Sequence, residues 1–109
     1  MKLLIAIVQD DDASRLVENL MAEGLGATKL ATTGGFLRSG NTTLLIGVQD
    51  ENMQKALDII EKICKSRKQI ASSSTNMLGM PGSFIGYPME VVIGGATVFI
   101  VNVEQFIKM

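Results

Sequence analysis

The chain has 109 residues, 47% of them hydrophobic and 19% charged, with a formal net charge of −1 and a pI of about 5.3. This length predicts a single domain over residues 1–109, and the charge argues against a general nucleic-acid-binding protein. No apolar run approaches the ~20 residues that cross a bilayer, and the N-terminus lacks a signal-peptide pattern. We therefore expect a cytoplasmic protein that binds neither a membrane nor nucleic acid.

The residue content also limits the chemistry that the protein can perform. There is no histidine and one cysteine, Cys64, so Ser–His and Cys–His catalysis and an ordinary zinc site are excluded. Cys64 lies on the apolar face of a predicted helix, which favours a buried, unreactive thiol. We expect no catalytic residues, no metal and no cofactor.

The chain begins with a predicted strand over Leu3–Val8, a continuous apolar run. Asp10 or Asp11 is expected to cap the helix that follows, although the run of aspartates at 10–12 could instead form a metal site. The helix ends at Gly24. Its apolar residues recur with helical spacing: Ala13, Leu16, Val17, Leu20 and Met21.

Two strands, Ala27–Thr33 and Asn41–Val48, are predicted next, on either side of a glycine-rich turn. Asp50 is expected to cap a second helix that carries its own apolar stripe: Met53, Ala56, Leu57, Ile60, Ile63 and Cys64. The basic residues at 65–68 then favour the negative end of the helix dipole.

The last third of the chain contains an irregular segment and a final strand. Residues 66–89, and Ile70–Pro88 above all, are rich in Ser, Gly, Met and Pro and predict a long flexible or ligand-ordered loop. Glu90–Val103 predicts one strand interrupted at Gly94-Gly95, a pair that indicates either a bulge or a place where another backbone or a ligand comes close.

The predicted order is strand, helix, strand, strand, helix, strand. This is the ferredoxin-like βαββαβ arrangement, an α+β fold with both helices on one face of an antiparallel sheet. Because the strands are apolar on both faces, the face without helices needs a cover. We expect a homo-oligomer with a buried sheet interface.

The stretch ATKLATTGGFLRSGNTTLLIGV, at 27–48, has the composition of a site for a phosphorylated ligand. Glycine lets backbone N–H groups approach an anion, and threonine hydroxyls add donors. Phe36 and Leu37 could give a base an apolar surface. A β-hairpin with a flexible loop explains the same residues, and the sequence chemistry alone leaves both interpretations open.

Together with IAIVQDDDA near the start and EVVIGGATVFIVNVEQF near the end, this stretch resembles the PII-like cyclic-di-AMP receptor proteins of Gram-positive bacteria. The resemblance covers nearly the whole chain. It implies a non-enzymatic homotrimer that binds cyclic di-AMP at subunit interfaces, changes its loops and regulates an unidentified downstream protein.

The resemblance also implies roles for individual residues. Thr28 would bind phosphate, Asn41 would read an adenine edge, and the backbone of Gly47 would contact the same base. Phe99 of the adjoining subunit would close the apolar side. The base pocket would be lined by Gly35, Phe36 and Leu37.

Two positions depart from the expected pattern, Gly26 in place of a basic residue and Lys108 in place of glutamine. The loss of a basic residue near the phosphates would weaken ligand binding, and Lys29, Arg38 or Lys108 could compensate for it. Two other functions are compatible with the fold. One is a PII-like regulator that binds ATP or ADP, and the other is a small phosphatase that uses Arg38 and Asn41.

Overall fold

In a computed structural model of the chain, residues 1–30, 40–71 and 89–109 are described. The strands of the main sheet follow the order β2-β3-β1-β6, and β4 and β5 form a separate two-stranded sheet. All the pairings are antiparallel. The elements are β1 (Lys2–Gln9), α1 (Asp10–Ala22), β2 (Thr28–Lys29), β3 (Asn41–Val48), a 3₁₀ turn (Asp50–Asn52), α2 (Met53–Cys64), β4 (Arg67–Ala71), β5 (Met89–Ile93) and β6 (Ala96–Asn102).

Both helices pack on one face of the main sheet, which confirms the predicted ferredoxin-like α+β fold. Alternate residues of β1 (Leu4, Ala6 and Val8) are fully buried beneath them. Burying a leucine or valine side chain in this way contributes ~1.5–3 kcal/mol. The rest of the core comes from the apolar stripes of the helices, from the turn after α1 and from β3: Ala13, Leu16, Leu20, Leu25, Leu44, Ile46, Val48, Ala56, Ile60 and Cys64.

The opposite face of the sheet, called here the open face, carries the other alternate residues. The register places Ile5 opposite Leu45 on one side and opposite Phe99 on the other. Phe99 is 54% exposed, and Val101, in the next row of the same face, is 45% exposed. Within the described ranges no element covers this face, as the apolar character of both strand faces predicted.

The predicted closing strand, Glu90–Val103, is wrong as a single strand. Gly94 and Gly95, with φ of 82° and 94°, form a corner between β5 and β6, which belong to different sheets. A Cβ on Gly94 would lie 2.7 Å from the carbonyl oxygen of Lys65, so the close approach of the α2 C-terminus requires glycine.

The predicted loop over 66–89 is wrong at both ends, because Arg67–Ala71 pairs with Met89–Ile93. Residues 72–88 lie outside the described residues. Of the predicted strand Ala27–Thr33, the structure shows Thr28–Lys29 in the sheet, and residues 31–33 lie outside the described ranges.

The helix starts also differ from the predictions. Asp10 is already helical and Gln9 occupies the N-cap position without a side-chain cap, so the three aspartates form the first turn of α1 and not its cap. Asp50 begins the 3₁₀ turn instead of capping α2. Its carboxylate lies 2.9 Å from the N-terminal ammonium, whose hydrogen bond and charge lower the pKa of Asp50.

The basic residues after α2 do not act together on the helix dipole, because Arg67 and Lys68 belong to β4. The Arg67 guanidinium instead lies 2.8 Å from Asp12 in the first turn of α1, which is adjacent to the end of α2.

Candidate functional site

The best-defined polar part of the site lies where β3 begins. Asn41 is directly opposite Gln9 of β1 and is partly exposed on the open face. Two bonds fix the neighbouring residues: the Asp10 N–H donates to the Gly40 carbonyl at 2.8 Å, and the Thr42 hydroxyl donates to the Asp10 carboxylate. The first residues of β3 are therefore held against the start of α1, which fixes the position of Asn41.

Two shallow hollows adjoin Asn41, each of about 380 Å³. Gln9 and Asn41 line both of them. The first is completed by Asp10, Asp11 and Gly40. The second is completed by Ile7, Gly94, Gly95, Ala96 and Thr97. An amide that donates and accepts, next to accessible backbone and an apolar wall, suits the edge and face of a nucleobase.

Thr28 lies on β2 at one edge of the sheet. Its exposed side chain shares the open face, because Thr28 is paired with Leu45. The row continues through Ile5 to Phe99 on the opposite edge strand. At the ordinary strand spacing, Thr28 and Phe99 are separated by roughly 14 Å. A hydroxyl donor and an aromatic ring therefore mark opposite edges of one surface.

Gly47 lies six positions after Asn41 along β3. At the rise of an antiparallel strand, the two residues are about 20 Å apart. Asn41 and Gly47 of one chain therefore cannot contact the same base, and the predicted shared contact requires two copies of the chain. A Cβ on Gly47 would be 3.6 Å from Met1 Cε, an ordinary contact, so packing within the chain does not demand glycine.

The remaining predicted site residues, Gly35, Phe36 and Leu37, lie outside the described residues, as does Arg38. Lys29 is paired with Leu44, which is buried under the helices, so Lys29 lies on the side of the sheet away from Thr28. Nothing lies within 4 Å of a Cβ built on Gly26, so a larger residue would fit there.

Gln9 is the site residue that the sequence reasoning missed. It directly follows the predicted strand Leu3–Val8, and no periodic signal distinguishes it. Its side-chain Oε1 accepts a hydrogen bond from the Gly94 N–H at 2.7 Å. The alternation of β1 does place Gln9 on the face opposite Val8, which is the one available sequence clue.

The described residues contain neither a metal-holding group of side chains nor an activated thiol. No group of three His, Cys, Asp or Glu side chains that could hold a metal occurs among them. The Asp10 carboxylate accepts from Thr42 and that of Asp12 from Arg67 and Arg15. Burial raises the pKa of Cys64 to about 11, so its thiol is protonated and poorly nucleophilic. Among the helices that are described, none is long and apolar enough to cross a membrane.

A small α+β domain whose uncovered sheet face is polar where β3 begins and apolar toward Leu3 and Val101 is consistent with the PII-like fold. The sequence pattern of the cyclic-di-AMP receptor family matches residues 1–109, and the chain belongs to this family. Recognition of cyclic di-AMP, which the resemblance implied, is thereby confirmed as the family function.

A solved structure agrees with the fold. It is described as a functionally unknown protein from Pediococcus pentosaceus ATCC 25745, and it is 42% identical to this chain. The match covers 99% of this chain and 96% of that chain, with a TM-score of 0.75.

Proposed function

We propose that this receptor binds cyclic di-AMP between the subunits of a homotrimer in the cytoplasm, performs no catalysis, and signals through its loops to a partner protein. One observation carries this proposal. Thr28, Asn41, Gly47 and Phe99 share one surface of the sheet but lie at its opposite ends and edges.

Cyclic di-AMP carries two adenines and two phosphates on one ring, so it needs base-reading groups, anion donors and apolar cover close together. Asn41 offers donor and acceptor to an adenine edge, and the Thr28 hydroxyl offers a donor to phosphate. Because Gly47 is about 20 Å from Asn41 along its strand, Gly47 of a second copy must supply the backbone contact to the same base. Phe99 reaches the ligand from a neighbouring copy by the same reasoning.

The open face supplies the surface for this assembly. Its uncovered apolar side chains come from three adjacent strands: Leu3, Ile5, Ile7, Leu45, Phe99 and Val101. A contiguous apolar patch of this kind is typical of protein interfaces. Burying it between copies would remove apolar area from water and bring the edges of neighbouring sheets together at the ligand.

The test is isothermal titration with cyclic di-AMP, and with cyclic di-GMP and ATP for comparison. We expect cyclic di-AMP to bind near one per subunit, and Asn41→Ala to weaken it about tenfold or more, since a buried base edge loses its partners. Asn19→Ala, on α1 away from the open face, is the matched control. Equal affinity for ATP would instead support a PII-like ATP or ADP regulator.

Mixed assemblies test whether two subunits share one site. Asn41→Ala and Gly47→Val chains should each bind cyclic di-AMP more weakly than the wild type when alone. When the two are coexpressed, each mixed trimer contains one interface with an intact Asn41 facing an intact Gly47, so partial binding returns. Absence of any restoration in verified mixed trimers would contradict the shared site. Chromatography of the ligand after long incubation should show no turnover, which separates a receptor from a phosphatase.

A further inference from the structure

The strands β4 (Arg67–Ala71) and β5 (Met89–Ile93) form a two-stranded ribbon separate from the main sheet, called here the arm. At its root, Arg67 follows the end of α2 closely and Ile93 leads into the Gly94-Gly95 corner. On its two strands, Ile70 and Val92 are 69% and 66% exposed. The arm therefore depends on contacts at its root for its position.

The first contact at the root is an ion pair. Asp12 is 1% exposed, and its Oδ1 lies 2.8 Å from an Arg67 Nη2 and 3.4 Å from that of Arg15. Oδ2 of Asp12 has no hydrogen-bond partner within the described ranges. A buried carboxylate in this state depends strongly on its cation, so Arg67 fixes β4 to the first turn of α1.

The second contact is made by Gln9. Only the amide oxygen can accept from the Gly94 N–H, so the 2.7 Å bond sets the orientation of the Gln9 amide. The next residue, Gly95, donates its N–H to the Cys64 carbonyl. Gln9 thus holds the corner that joins the arm to β6. It also lines the hollow with Asn41, its neighbour across β1 and β3.

We propose that Gln9 is a further ligand-contacting residue that couples the base site to the arm. Its oxygen holds Gly94, and its NH₂ group, which has no partner among the described residues, donates to an acceptor on the base that Asn41 reads. One planar amide then makes both hydrogen bonds. A bound base would therefore immobilise Gln9 and stabilise its bond to Gly94 at the root of the arm. The ligand half of this inference rests on the proposed function; the anchoring half does not.

Amide hydrogen exchange of the full-length protein, with and without cyclic di-AMP, separates the two halves. In ligand-free protein, Gln9→Met removes the acceptor and should speed exchange at Gly94 about fivefold or more, the effect of one hydrogen bond. Gln9→Glu keeps an acceptor and should leave Gly94 protected. Arg67→Met should speed exchange throughout the arm, whereas Lys68→Met should not. Lys68 is the matched control because it is exposed and lies 3.9 Å from Glu90, away from Asp12.

Saturating cyclic di-AMP should slow exchange at Gly94 and in 91–93 of the wild type. It should have no such effect on Gln9→Glu, which can accept from Gly94 but not donate to the base, and which should bind about tenfold more weakly. Ligand-dependent slowing that persists in Gln9→Glu would overturn the coupling. Binding without any change in the arm would overturn it while leaving the proposed function intact.

A wild type that fails to bind cyclic di-AMP would instead defeat the proposed function, and the ligand half of this inference with it. The ligand-free comparison still decides the anchoring half. Equal Gly94 exchange in wild type and Gln9→Met would refute that half.

Discussion

Replacing Gly94 with alanine tests how the corner between the two sheets is built. Gly94 has φ of +82°, and an added Cβ would lie 2.7 Å from the Lys65 carbonyl oxygen, 3.0 Å from Arg67 Nη1 and 3.2 Å from the Cys64 carbonyl oxygen. The left-handed backbone costs a non-glycine residue about 1–2 kcal/mol. Two of the three close atoms are backbone at the end of α2, so relieving the clash requires the helix end or the corner to move.

Gly24→Ala is the matched control, because Gly24 has φ of +76° and nothing within 4 Å of its Cβ position. Its free energy of unfolding should fall only by the cost of the left-handed backbone conformation, about 1–2 kcal/mol. Gly94→Ala should lose about 1–3 kcal/mol more, the usual range for overpacking. Urea unfolding of both variants, with slopes equal to that of the wild type, measures the difference. Equal losses would refute the steric argument and show that the corner adapts without strain.

Three further predictions concern the core, the ion pair and the open face. Between pH 9 and 11 the unfolded Cys64 thiol ionises while the buried thiol, with its pKa raised from 9.0 to about 11, stays neutral. The free energy of unfolding that this thiol contributes below pH 9 should therefore fall by about 2–3 kcal/mol as the pH rises from 9 to 11. In the Cys64→Ala variant, unfolding measured over the same pH range should show a decrease smaller by that amount. Arg67→Met should lower the free energy of unfolding by about 2 kcal/mol. In a double-mutant cycle, the variant that combines Arg67→Met with Asp12→Asn should lose less stability than the two single variants together, and strictly additive losses would contradict an interaction between the two side chains. Phe99→Glu should disrupt assembly in analytical ultracentrifugation with the fold kept, whereas Ile70→Glu on the arm should not; an oligomer that stays intact in the Phe99→Glu variant would argue against the open face as the interface.

The helices and the main sheet could be predicted because their signals are local and periodic. The stripe through Leu16 and Leu20 has helical spacing, and Leu4, Ala6 and Val8 alternate under the helices as a two-residue period demands. The uncovered sheet face follows from the same two-residue alternation. It places Leu3 and Ile5 on the face of the sheet that neither helix covers.

The arm was missed because nothing local specifies it. Arg67–Ala71 is short and polar, so it was included in the predicted loop, and its strand character comes from pairing with Met89–Ile93 some twenty residues away. Gly94-Gly95 correctly predicted an interruption of the strand, but not that the chain changes sheets there. A bulge and a corner between sheets both use glycine, and only the position of the α2 C-terminus distinguishes them.

The aspartates at 10–12 show the same limit at the level of single side chains. Their place in the first turn of a helix favours the dipole, as expected, yet each carboxylate for which a bond is found has a different partner. Asp10 accepts from Thr42 and Asp12 from Arg67, residues 32 and 55 positions further along the chain. Such pairings arise from tertiary structure, so a sequence pattern can indicate the charge but not its partner.

The distribution of the site over the sheet has a thermodynamic consequence. If one cyclic di-AMP must contact Asn41 of one copy and Gly47 of another, the ligand binds the assembly and not the separated chain. Binding energy then adds to the association of the open faces, and association in turn raises the affinity for the ligand, because the two equilibria share one cycle. Within a single chain, Asn41 and Gly47 are about 20 Å apart and Thr28 and Phe99 about 14 Å apart, so these contacts do not converge on one small ligand. In the assembly proposed above, a second copy of the chain would both cover the apolar surface that the helices leave uncovered and supply the remaining ligand contacts.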